Sequence, residues 1–79
     1  MARPANEPDT GTFAGRVGAL FRKRREAVRL SVEQAAELAG VPASTWYRWE
    51  QGSNIPRMDR LPDIAQALKC SPRQLVPER

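Results

Sequence analysis

Apolar residues recur along this chain at intervals of three and four, and the runs are cut by glycine and proline. Phe13, Val17, Leu20, Phe21 and Val28 form the first stripe, which predicts a helix over 13–28 with Thr12 as N-cap. Arg24 falls inside that stripe, and its long stem is expected to carry the guanidinium past the helix edge. The second run, LSVEQAAELAG, begins with Ser31 and Gln34 at capping-box spacing and stops at Gly40, a residue suited to a left-handed helix end. Val32, Ala35, Ala36 and Ala39 share one of its faces, where the small alanines let another helix come close. Only Val41 and Pro42 precede a third helix over 43–51, closed by Gly52; GSNIPR then reads as a loop. Leu61, Ile64, Ala65 and Leu68 mark a fourth helix starting near Asp59, since Pro62 is tolerated only in a first turn. Ser71 and Pro72 open a short fifth helix ending near Val76. With no strand candidate and no repeat, the expected fold is all-α, five helices within 13–79. Residues 1–12, with Pro4, Pro8 and Gly11, are expected to be a disordered tail.

The second and third helices, joined by a tight glycine-containing turn, make a helix-turn-helix. At 100° per residue, Pro42, Thr45, Trp46, Trp49 and Glu50 share one side of the third helix. Helices this short are held by packing, so Trp46 and Trp49 belong to the core rather than to a base-stacking platform, which needs exposed rings. Ala43, Ser44, Tyr47, Arg48 and Gln51 share the other side. That side has two small residues near the helix start, then a hydroxyl-bearing ring, an arginine and an amide. The set suits a DNA major groove, where an arginine grips guanine with two bonds. Taken by itself, the same set also fits an ordinary solvated face.

Length and composition narrow the alternatives. Seventy-nine residues hold one small domain. One cysteine, Cys70, and no histidine exclude an intramolecular disulfide and a Cys/His zinc site, so helix packing alone must hold the fold. The lone thiol fits a reducing compartment, and no apolar run approaches a membrane span, so a soluble, cytoplasmic protein is expected. There is no glycine-rich phosphate loop and no evident catalytic set; neither an enzyme nor a cofactor is expected, and Cys70 is read as core. The net charge of +4 points to a polyanionic partner or to a solvated basic surface. Five of the thirteen basic residues sit at 22–25 and 29.

From Val17 to Leu75 the chain resembles the phage Cro/repressor type of helix-turn-helix domain, the XRE family, with its lambda-repressor-like fold. The likeness rests on Arg25, LSVEQAAELAGV, STWYRWEQG, Pro56 and LPDIAQALKCS in that order. The resemblance implies that helix 43–51 enters the major groove of double-stranded DNA. It places base reading at Ala43, Ser44, Tyr47 and Arg48, with Tyr47 open between a base edge and a phosphate. It also implies a structural ion pair between Arg25 and Glu50. Thr45, Asn54, Arg57 and Arg60, beside or after the recognition helix, are the candidates for phosphate contact, and Arg3 is a candidate groove arm. Three positions depart from the family pattern. Val32 replaces a phosphate-contacting glutamine, Arg29 a turn glycine, and Arg24 an apolar residue. The implied function is a transcriptional regulator, a repressor that occludes a promoter, acting as a homodimer at least on DNA at a palindromic operator. A small patch such as Leu75 and Val76, or the loop before them, would have to serve the dimer. The second reading is an antitoxin or other module that binds a partner protein, motivated by Leu38, which projects off the main core face unless it packs on the first helix.

Overall fold

The computed structural model describes residues 11–77, and among these every regular element is helical. They are α1 (Phe13–Ala27), α2 (Val32–Ala39), α3 (Ala43–Gln51) and α4 (Leu61–Ala67), with 3-10 turns at Met58–Arg60 and Pro72–Leu75. The expected tail, apart from Gly11 and Thr12, and Arg3 with it, lies outside the described residues. α1 and α2 both pack against α3, α2 also meets α4, and the last 3-10 turn closes over α4 and α1.

The local signals explain where the helices start and stop. Thr12 Oγ1 accepts the Gly15 N–H at 2.9 Å, and Ser31 and Gln34 exchange capping bonds of 2.9 and 3.0 Å. α2 ends at Gly40 (φ 76°) and α3 at Gly52 (φ 78°), both left-handed. At Gly52 the conformation is only half of the requirement, because a Cβ there would sit 2.8 Å from Gly15 Cα at the start of α1.

The expectation of five helices is corrected to four α-helices and two 3-10 turns. Met58–Arg60 winds as 3-10 before Pro62 sets the first turn of α4, so the α-helix begins at Leu61 rather than near Asp59. The expected fifth helix is the four-residue turn Pro72–Leu75, too short to propagate α-helical bonding. α1 stops at Ala27, with Val28 as its C-cap.

The core gathers Val17 and Phe21 from α1, Ala35, Ala36 and Ala39 from α2, and Trp46 and Trp49 from α3. Ile64, Ala65, Ala67, Leu68 and Leu75 complete it. Phe21, Trp46 and Trp49 make a three-ring cluster with centroids 5.7–6.2 Å apart, in the tilted and edge-on arrangements that aromatic quadrupoles favour. Three members of the predicted α1 stripe stand outside this core, Val28 among them as the half-buried C-cap. Phe13 is 47 % exposed at the first residue of the helix, and Leu20 is only half-buried. Glycines supply what the stripe omitted. Gly15 and Gly18 are buried, and a Cβ on Gly18 would meet the carbonyl oxygens of Trp49 and Glu50 at 2.5 Å. The bulky rings of α3 fit because the backbone of α1 there has no side chain.

Leu75 is fully buried and offers nothing to a second subunit; Val76 remains 43 % exposed. Cys70 is half-buried against the core. No helix among the described residues is long and apolar enough to cross a membrane.

Candidate nucleic-acid interface

α3 is fixed from beneath by one buried carboxylate. Glu50 is 4 % exposed, and its Oε2 accepts from Arg25 Nε at 2.6 Å and from Trp46 Nε1 at 2.6 Å, while Oε1 accepts from Arg25 Nη2 at 3.1 Å. Arg25 Nη1 also donates to the Leu30 carbonyl at 2.9 Å, tying the turn between α1 and α2 to the same group. Hydrogen bonding of Arg25 to the Glu50 carboxylate is the main reason the Arg25 pKa is raised, and it outweighs the opposing effect of burial. Buried charges need this degree of pairing, so the geometry of α3 relative to α1 is tightly specified.

Arg24 has a second anchoring role that its position in an apolar stripe did not announce. Its Nη2 donates to the carbonyls of Leu68 and Lys69, both at 3.1 Å, and so caps the C-terminal end of α4. The stem crosses the helix edge as expected, but its Nε is buried without a hydrogen-bond partner. Arg29, in the turn, has φ 60°, and Lys69 has φ 56°; both are left-handed positions held by a residue with a Cβ.

With its aromatic side buried, α3 turns Ser44, Tyr47 and Arg48 outward, all three exposed and Tyr47 at 48 %. Ala43 is less available, since it is partly buried and packs against the core. Pro42, the N-cap of α3, contributes no side-chain hydrogen bond, so the helix start is not covered by a capping group. Thr45, Asn54, Arg57 and Arg60 come together around one depression of about 440 Å³, between the turn at Gly40–Pro42 and the loop that follows α3. Arg57 and Asp59 approach to 3.4 Å, but both side chains are mostly exposed, and such a pair is weak enough for Arg57 to exchange partners. The outer face of α2 is different in character: Glu33, Gln34, Glu37 and Leu38 are exposed there, with two carboxylates and no cation. Leu38 is 60 % exposed and does not bury itself on α1. No cluster of three or more metal-binding side chains occurs among the described residues.

The model of a helix-turn-helix domain matches residues 16–78. The restriction-modification controller protein C.AhdI from Aeromonas hydrophila is similar in structure, with TM-score 0.73 and 32 % identity over 76 % of this chain and 91 % of that one. A hypothetical transcription factor, NHTF from Neisseria, shares the fold at TM-score 0.79 and 21 % identity, covering 96 % of this chain and 87 % of that one. The hydroxypropylphosphonic acid epoxidase from S. wedmorenis has TM-score 0.72 and 30 % identity over 78 % of this chain, but only 33 % of the enzyme is covered. Comparison with curated proteins finds no match. The residues matched, the two short helices joined by the turn at Gly40–Pro42 and the structural likeness agree: this chain belongs to the helix-turn-helix family of DNA-binding domains, of the Cro/repressor (XRE) type.

Proposed function

We propose that the protein is a sequence-specific regulator of transcription that inserts α3 into the major groove of double-stranded DNA. The observation that carries this reading is the division of α3 into two sides. The tryptophans and Glu50 are locked in the core, and Ser44, Tyr47 and Arg48 are left on a rigidly held, exposed face. Ser44 and Arg48 read base edges, Ala43 permits close approach, and Tyr47 meets a base edge or a phosphate. Thr45, Asn54, Arg57 and Arg60 hold the neighbouring backbone, which their shared depression supports. Regulation is by repression, through occlusion of a promoter, and two copies occupy a palindromic operator with half-sites roughly 34 Å apart. Selection from random duplexes followed by footprinting is the direct test. A two-fold consensus protected on its major-groove side is expected; equal affinity for selected and random duplexes at moderate salt would remove the proposal.

A second reading is favoured by Leu38, whose 60 % exposure on an otherwise polar helix face leaves an apolar contact unused. On this reading the chain also binds a partner protein, as an antitoxin does, through α2. Leu38→Ser then abolishes co-purification with that partner while operator binding persists; persistence of both removes α2 from the contact.

A further inference from the structure

A depression of about 980 Å³ lies between α1 and the C-terminal 3-10 turn, and none of its lining residues comes from α2, α3 or the loop bearing Asn54 and Arg57. Its floor is apolar, made by Ala19 and Leu20 with Val76 and Pro77, and Leu20 and Val76 both keep surface accessible to solvent. Its rim carries Arg16, Lys23 and Arg73, all exposed, with no carboxylate among the lining residues. None of these three cations has an ion-pair partner among the described residues, whereas Arg22, one position away on α1, is paired with Glu26 at 3.2 Å. Arg16, Ala19, Leu20 and Lys23 are spaced i, i+3, i+4 and i+7, so an apolar pair lies between two cations along about 10 Å of one helix face.

We propose that this groove receives an acidic amphipathic segment of a partner protein, with apolar side chains on Leu20 and Val76 and carboxylates at Arg16, Lys23 and Arg73. Charge complementarity selects this occupant. A nucleic-acid backbone would use the cations but gain nothing from the apolar floor, and a basic or neutral helix would leave three unpaired cations at the contact. The groove is separate from the face assigned to DNA, so one molecule holds an operator and a second protein at once. The proposal stands whether or not the assignment of α3 to base reading is right.

The test uses the full chain and two labelled, helix-forming peptides of about sixteen residues, long enough to be partly helical in water. Both carry leucine at i, i+3 and i+7; the remaining exposed positions are glutamate in one and lysine in the other. Fluorescence anisotropy at low salt is expected to show the glutamate peptide bound at least about tenfold more tightly. Leu20→Ser should weaken it about tenfold, and Lys23→Glu with Arg73→Glu should reverse the preference towards the lysine peptide, with circular dichroism showing helix content and melting retained. Equal binding of the two peptides, or binding indifferent to these substitutions, overturns the proposal. Two further outcomes also overturn it by naming another occupant. One is tighter peptide binding by the Glu7→Gln, Asp9→Asn variant, which makes the chain's own N-terminal segment the competitor. The other is self-association that Leu20→Ser abolishes, which makes it a second copy.

Discussion

Arg25 and Glu50 meet through two hydrogen bonds of 2.6 and 3.1 Å, and Trp46 donates to the oxygen that takes the shorter of them. The two residues are 25 positions apart, and their contact joins α1 to the end of α3. The carboxylate is almost wholly buried and the arginine side chain is 14 % exposed, so neither charge is well solvated. Removing one partner strands the other. Arg25→Met or Glu50→Ala is therefore expected to cost about 3–5 kcal/mol, read from chemical denaturation. Arg25→Lys should recover little, since a single ammonium cannot make the paired bonds and also reach the Leu30 carbonyl. A loss below about 1 kcal/mol, the range of a surface pair, would show that the contact does not fix α3.

Gly18 is the position where α1 and α3 touch through their backbones. An added methyl would lie 2.5 Å from two carbonyl oxygens, which cannot swing aside as a side-chain end would. Gly18→Ala should force the helices apart and cost about 3 kcal/mol, despite the better helix propensity of alanine. The check is a melting experiment in parallel with Ala14→Gly, a substitution on the same helix that should lose only about 1 kcal/mol. A Gly18→Ala protein as stable as the parent would mean that the close approach is not needed.

Arg29 and Lys69 hold left-handed backbone at φ 60° and 56°. Each sits just after a helix, where glycine pays no steric penalty. Arg29→Gly and Lys69→Gly should each raise stability by up to about 1 kcal/mol, the steric gain being partly offset by a more flexible unfolded chain. Because both side chains are exposed, little packing is lost. Thermal unfolding of the two single variants and their combination checks this, and additive gains are expected. A destabilised Arg29→Gly would show that its side chain contributes something beyond the turn.

How much of this was legible in the sequence depended on whether the signal was local. The caps at Thr12, Ser31, Gly40 and Gly52, and the bounds of α3, follow from neighbouring residues, and the structure agrees with them. The burial of Trp46 and Trp49 followed from helical spacing. The contacts of Gly18 and Arg24 depend on elements about 30 and 44 positions away, which local patterns do not identify. The glycine spacing Gly15–Gly18 was the available hint for a close helix crossing. Phe13 and Leu20 misled for the converse reason: periodicity shows which side of a helix is apolar, not how far along it the partner extends. Ser71 and Pro72 signal a helix start but not its length, and the structure forms only the four-residue 3-10 turn Pro72–Leu75 there. At the candidate interface, the resemblance supplies the base-reading residues one by one, whereas the phosphate candidates are named only for lying beside or after α3. Their gathering around one depression came from the path of the loop after Gly52.

Substitutions at Arg48 and Arg57 test the proposed division between base reading and backbone attraction. Arg48 lies on the outward side of α3, clear of the core, while Arg57 borders the depression beside the helix start and is 85 % exposed. Arg48→Ala is expected to cost about 1–3 kcal/mol at the selected site and to relax preference at one base pair, with random duplexes little affected. Arg57→Ala should weaken all duplexes alike and reduce the slope of log affinity against log salt by about one, because one fewer counterion is released. Asp59→Asn serves as the control for the Arg57 contact. It removes the 3.4 Å pairing without removing the cation, so it should leave affinity unchanged or slightly raise it. Titrations at several salt concentrations on the selected and a scrambled duplex distinguish these outcomes. Were Arg48→Ala to weaken both duplexes equally with a change in salt slope, Arg48 would be a phosphate contact. The base-reading face would then shrink to Ser44 and Tyr47.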